Sequence, residues 1–300
     1  MSSSTQQQLH KLALSEAHHA QLRAHLFPGD GLEAAAIMLC AQSSTHRYVV
    51  NQILLVDHDS CRVRTPDRLI WPGTAIEDAI DLAEANSLSI ILIHSHPGGT
   101  LEFSPIDDDS DYEAIPALFE ASERSSILHG SAIMTPDGAI HARLYNRQLV
   151  ITPISTVHCA GDDLLTWQKK EHMGVLPKPM AFSAQMGQHL KHWSACIVGV
   201  SGTGSIVVEQ LARLGFGRLI LIDFDDIEFK NLNRIINTTL EDARNGIAKV
   251  ERFASVIPLY RDDIEVLTLK GSIVSREAIE LAGQADVLFC CVDSFEGRQL

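Results

Sequence analysis

The stretch from Ala195 to Asp223 leaves the chain few choices of fold. Ala195-Cys196-Ile197-Val198 reads as a short apolar strand, and Gly199-Val200-Ser201-Gly202-Thr203-Gly204 as a tight glycine turn. Ile206 to Leu214 continues as a helix, Arg218 to Ile222 as a second strand, and Asp223 closes it. Strand, glycine turn, helix, strand and acid, in that order, make the mononucleotide-binding half of a doubly wound α/β sheet. In such a unit the glycines let the backbone approach a phosphate at the helix N-terminus, and the acid is placed to bond a ribose hydroxyl.

The residues after the acid decide the nucleotide. A nicotinamide site needs little more than that acid. This chain continues Phe224-Asp225-Asp226-Ile227-Glu228-Phe229-Lys230-Asn231-Leu232-Asn233-Arg234 and later Gly246-Ile247-Ala248-Lys249, an arginine, a lysine and two amides suited to a triphosphate. The run resembles the ThiF and ubiquitin-activating adenylyltransferases, with Ser201 where their middle glycine stands. The resemblance implies a Rossmann-like ThiF domain that binds ATP. Gly199, Gly202 and Gly204 would form the turn, Asp223 would hold the ribose, Asn231, Arg234 and Lys249 the phosphates, and Asp293, after the apolar strand Val287 to Val292, the Mg2+. It further implies attack by a carrier protein's C-terminal carboxylate on the α-phosphate of ATP.

A second constellation lies upstream, in His94-Ser95-His96-Pro97-Gly98-Gly99-Thr100-Leu101-Glu102-Phe103-Ser104-Pro105-Ile106-Asp107. It follows the apolar run Ile90 to Ile93, a buried strand by its pattern, so both histidines stand at a strand end where alternate residues share a face. His-x-His alone reads as an ordinary polar pair. Ser104-Pro105-Ile106-Asp107 alone reads as a helix start, with serine as N-cap and proline at the first helical position. Together and in order they read as two imidazoles and a carboxylate, a three-ligand zinc set. Its fourth position is open to a water whose pKa the metal lowers toward about 7.

The stretch resembles the JAMM (MPN-plus) metallopeptidases, whose pattern is an upstream Glu, His-x-His, seven residues, Ser, two residues, Asp. That resemblance implies that His94, His96 and Asp107 bind Zn2+ and that Ser104 helps stabilise the tetrahedral intermediate. It also implies that Glu33, just before the apolar run Ala34 to Cys40, moves a proton from the water to the leaving amine. The fold it implies is an α+β, cytidine-deaminase-like domain.

Three hundred residues with 45% apolar content suffice for two cored domains. The expected division is a JAMM zinc metallopeptidase domain over 1–155, a linker over 156–180 and the first part of a ThiF-like ATP-binding domain over 181–300. The last is expected to be cut short, because the chain ends just past Asp293. Within the first domain, Leu9 to Leu26 reads as a helix, and its His10, His18, His19 and His25 as a solvated face. Thr74 to Asn86 and Pro105 to Ser122 read as helices, and Asp108, Asp109 and Asp111 as a second solvated face. Ser126 to Met134 and Ala139 to Tyr145 read as a hairpin, and a short helix is expected near Leu164 to Lys170.

Acidic residues outnumber basic ones by 38 to 24, so the basic footprint of a nucleic-acid binder is missing. The six cysteines form no Cys-x-x-Cys pair, which suits a reducing cytoplasm. No apolar run has membrane-spanning length. A cytoplasmic protein without nucleic-acid or membrane partners is expected.

The two resemblances together imply one partner, a ubiquitin-like or sulfur-carrier protein with a C-terminal glycine tail. One half would cleave after that tail and the other adenylate it, as in bacterial ubiquitin-like conjugation systems of antiphage defence islands, with a conjugating enzyme downstream and a homodimer formed through the ThiF-like half. Carrier processing for cofactor or cysteine biosynthesis is an alternative. So is a peptidase joined to a non-catalytic nucleotide-binding or dimerisation platform.

Overall fold

A computed structural model describes residues 10–44, 46–120, 127–168 and 183–293. The chain divides into two compact units, 1–175 and 176–300.

Strand β1 (His10–Ser15) and helix α1 (Glu16–Leu26) open the first unit. There follow β2 (Ala35–Ser44), β3 (Arg47–Leu55), the two-residue strands β4 (Val63–Arg64) and β5 (Leu69–Ile70), and α2 (Thr74–Asn86). Next come β6 (Ser89–Ser95), α3 (Pro105–Glu120), β7 (His129–Met134), β8 (Ile140–Tyr145), β9 (Ile151–Ala160) and β10 (Leu164–Gln168). Eight of these strands form one sheet in the order β1-β3-β2-β6-β7-β8-β9-β10, and β1 also pairs with β9. The sheet therefore closes on itself, barrel-like, with β10 attached outside the closure. That curvature goes beyond the compact α+β unit expected from the sequence.

Alternation along the strands separates two cores. Ala36, Met38, Ile91, Ile93, Ala132, Met134 and Ala142 point inward, where Leu22 and Leu26 of α1 join them. Ile37, Leu39, Ile90 and Leu92 point outward and are covered by α2 (Ala79, Ala83) and α3 (Ile115, Leu118, Phe119). By the same period-two rule His94 belongs to the outer face, beside the start of α3.

Four expectations are corrected here. Residues 10–15 are strand, not helix: Leu12 and Leu14 are buried in the closed sheet, and Ser15, capping the amide of His18, starts α1. Residues 156–168 belong to β9 and β10 rather than to a linker or a short helix, because Val157 and Cys159 fill the inward core. The rest of the expected linker, 169–180, lies outside the described residues. His19 is buried and bonded to the Gly138 carbonyl at 2.8 Å, so it is not part of a solvated face. Asp111 is likewise buried, for reasons taken up below.

The second unit begins with α4 (Ala184–Leu190) and β11 (Ser194–Val198), then α5 (Gly202–Leu214) and β12 (Arg218–Ile222). α6 (Leu240–Asn245), α7 (Lys249–Val256), β13 (Glu265–Leu269), α8 (Arg276–Ala282) and β14 (Val287–Cys290) complete it. Its four strands are all parallel, ordered β13-β12-β11-β14. The order reverses between β11 and β14, which opens a crevice at their carboxyl ends.

Candidate functional site

In the first unit, β6 delivers His94 and His96. The antiparallel register pairs Ala35 with His94, and backbone and side-chain bonds between Ala34 and Ser95 continue it. One further step sets Glu33 opposite His96. Period-two alternation then puts Glu33, His94 and His96 on one side of the β2–β6 ladder.

Asp107 reaches the same point from α3. Ser104 Oγ accepts from the Asp107 amide at 3.3 Å, and Asp107 Oδ2 accepts from the Ser104 amide at 2.5 Å, a reciprocal cap that fixes the carboxylate. His94 Nε2 lies 3.0 Å from His96 Nε2 and 3.0 Å from Asp107 Oδ1, and His96 Nε2 lies 3.4 Å from Asp107 Oδ2. Among the described residues this is the one group of three such side chains able to share an ion.

The chemistry of the donors fits a cation. Two imidazole nitrogens 3.0 Å apart can share at most one proton between them. His96 Nδ1 lies 2.8 Å from the Thr100 carbonyl and donates to it, so the neutral ring turns its Nε2 lone pair toward the other two ligands. Burial works to raise Asp107, but the adjoining imidazoles of His94 and His96 outweigh it and hold the carboxyl well below the usual carboxylate range. Burial works to lower His96, but Asp107 and the Thr100 carbonyl raise it.

Glu33 is 8% exposed, and burial raises its pKa against the opposing pull of His94 and His96. That combination suits a group that accepts and returns a proton. Its backbone is fixed on both sides, by its N–H donating to the Thr65 carbonyl at 2.9 Å and by Arg64 Nε donating to its own carbonyl at 2.8 Å.

In the second unit the glycine turn sits between β11 and α5. Gly199 has φ +89, and a Cβ on Gly204 would fall 1.8 Å from the Gly199 carbonyl oxygen, so a side chain at either position is excluded. Arg234 lies over Gly202, its Cδ 3.4 Å from where a Cβ would stand. Asp223, at the end of β12, accepts from Val200 N–H at 2.7 Å and Asp225 N–H at 2.9 Å, which leaves each oxygen a free lone pair. Lys249 is buried, its Nζ 2.6 Å from Asp225 Oδ2 and 3.6 Å from Asp223 Oδ1. Asn231 is also buried, and its Oδ1 accepts from Glu228 N–H at 2.9 Å, so it builds the turn that carries Arg234. Asp293 is exposed three residues beyond β14, whose neighbour Cys291 donates its N–H to Val198 at 2.8 Å. Gly199 and Gly204 thus stand against Cys291, the residue after β14, Gly202 stands against Arg234, and Asp293 follows two residues after Cys291.

The buried cluster of Asp111, Ser131, Arg143 and Tyr145, behind the first turn of α3, went unread in the sequence. Its hydrogen-bonded partners lie 12 to 34 positions apart. Only the oddity of an arginine within the apolar strand Ala139–Tyr145 hinted at it.

Comparison with known proteins adds to this geometry. Residues 15–147 match the family model for prokaryotic homologs of the JAB domain, and residues 178–300 match that of the ThiF family. The ubiquitin-like modifier-activating enzyme 5 of Culex quinquefasciatus is 32% identical over 123 residues, covering 37% of this chain and 30% of that protein. The same enzyme from Drosophila melanogaster gives the same identity and coverage. The chain thus matches less than a third of the length of these curated relatives. A solved structure of E. coli tRNA N6-threonylcarbamoyladenosine dehydratase, TcdA, in complex with ATP is 28% identical over 38% of this chain and 46% of that one, with a TM-score of 0.33.

Proposed function

From a chain that carries a domain of the prokaryotic JAB homologs followed by a ThiF-family domain, we infer a fused processing and activating enzyme for a ubiquitin-like protein. The first unit acts as a zinc-dependent peptidase or isopeptidase that cleaves after the carrier's C-terminal glycine tail. The second adenylates that tail at the expense of ATP and Mg2+. The observation that carries the reading is the convergence of His94, His96 and Asp107, with the buried carboxyl of Glu33 on the same side of the ladder.

His94, His96 and Asp107 would hold the zinc, which when bound supplies Lewis acidity and lowers the pKa of a coordinated water. Glu33 takes the proton released as the scissile carbonyl is attacked and returns it to the leaving amine. A carboxyl whose pKa burial raises takes up that proton more readily than an ordinary one. Ser104 caps α3 and keeps Asp107 turned to the histidines. Its hydroxyl is assigned to steady the developing oxyanion.

In the second unit the amides at the start of α5, where Ser201 makes no side-chain cap bond, face phosphate. Asp223 bonds the ribose, Arg234 and Lys249 neutralise the phosphates, and Asp293 contacts the Mg2+. The carrier's carboxylate displaces pyrophosphate from the α-phosphorus, which leaves an acyl-adenylate.

The test is the intact mass of a candidate carrier bearing residues beyond its terminal glycine, incubated with the chain, zinc and ATP-Mg2+. Loss of the extension, prevented by a chelator and by Glu33→Gln, is expected, followed by addition of an adenylate. A panel of glycine-tailed carriers all left unchanged by zinc-loaded protein would overturn the peptidase assignment.

A further inference from the structure

α3 begins at the surface: Pro105, Ile106 and Asp109 are exposed, and a first helical turn is held by few bonds of its own. Asp107 sits in that turn, yet the triad needs its carboxylate fixed to within a fraction of an ångström. What holds the turn is the side chain of Arg143, reaching across from β8.

Arg143 is 8% exposed. Its Nη1 donates to Asp108 Oδ1 at 2.5 Å, and its Nη2 and Nε donate to Asp111 Oδ2 at 2.6 and 3.0 Å. Tyr145 donates to the same Asp111 oxygen at 2.7 Å, and Ser131 bonds it as well. The guanidinium Cζ lies over the ring of Phe103, 3.8 Å from its centroid. The three contacts therefore fall at 103, 108 and 111, on either side of Ser104 and Asp107. A buried ion pair alone is weak evidence for stability, whereas a planar fork gripping two carboxylates of one helical turn fixes its rotation and height.

We propose that Arg143 is a positioning residue for the metal triad, setting the first turn of α3 so that Asp107 meets His94 and His96. The proposal rests on the zinc reading above. Arg143 is not one of the three ligating side chains, and it acts through Asp108, Asp111 and Phe103.

The experiment compares Asp108→Asn with Asp109→Asn in the full chain. Each removes one negative charge from the same turn, but only the first removes an arm of the Arg143 grip. Metal-stripped protein is titrated with Co2+, read by its visible spectrum, and with Zn2+ against a chromophoric chelator, while thermal unfolding is followed alongside. Asp108→Asn is expected to weaken metal affinity about tenfold and alter the Co2+ spectrum, with Asp109→Asn matching the unaltered chain. Arg143→Lys, which keeps the charge but loses the fork, is expected to do the same or worse; should it fail to fold, Asp108→Asn decides. Equal affinities and spectra for the two aspartate variants would overturn the proposal. An unaltered chain that binds neither metal would instead overturn the zinc reading itself, before any variant is compared.

Discussion

Arg234 and Asn231 stand three residues apart, both expected at the phosphates, yet the structure gives them different work. Arg234 is exposed, and among the described residues its Nη1 donates to the Lys230 carbonyl at 3.0 Å and to Asn233 at 3.3 Å. Arg234→Ala is therefore expected to weaken ATP binding about tenfold, read by calorimetric titration, with the unfolding midpoint unmoved. Asn231 is buried and satisfies Glu228 N–H. Asn231→Ala leaves that donor without a partner, and a loss of about 1–3 kcal/mol in denaturant unfolding is expected even without nucleotide. The sequence names both residues but cannot separate them, because the difference lies in burial. Asp111 is the same lesson from the other side. Three acids in one helical turn read as solvent-facing, and only Arg143 arriving from β8 makes one of them a buried anchor.

Elements were legible where one physical signal dominated. α2 and the β7–β8 hairpin carry clean periodicity and turn residues, and the structure has them at Thr74–Asn86 and around Pro136-Asp137-Gly138. β1 was not legible, because a six-residue strand runs straight into the cap of α1 and Leu12 also falls at helical spacing, three residues after Leu9. The link between β6 and β7 is also set by a side chain. His129, first residue of β7, accepts from Ile90 N–H through Nδ1 at 3.1 Å. Protonation would set two donors face to face, and burial pushes its pKa from 6.5 down to about 4. With the native value lowered, the unfolded chain binds the proton more readily, so the contribution is complete above pH 6.5 and lost as the pH falls toward 4. Between pH 7 and 4.5 the unaltered chain is expected to lose about 2 kcal/mol more stability than His129→Asn, which keeps an acceptor without a titrating ring. Parallel pH slopes for the two proteins in urea unfolding would refute this.

At the scale of the molecule, part of the second unit follows from local rules and the closed sheet of the first does not. A strand, a glycine turn and a helix lead to a parallel neighbour by a short crossover, so the parallel β11–β12 pair was implicit in residues 195–223, while the places of β13 and β14 beside it were not. Closure of the first sheet depends on β1 pairing with β9, as in Leu12 with Val157, a contact between segments that nothing local announces. Each unit has its own buried apolar cluster, so each ligand should stabilise the unit that binds it. A ligand that binds only the folded form at a hundredfold its Kd adds about 2.7 kcal/mol, which at these sizes raises an unfolding midpoint by roughly 5–15 °C. Zinc is therefore expected to raise the melting of the first unit and ATP-Mg2+ that of the second, as two separately movable transitions in calorimetry. His94→Ala should abolish only the zinc response and Arg234→Ala should reduce only the nucleotide response. A zinc shift that persists in His94→Ala would place the metal elsewhere, and a nucleotide shift untouched by Arg234→Ala would remove Arg234 from the phosphate site.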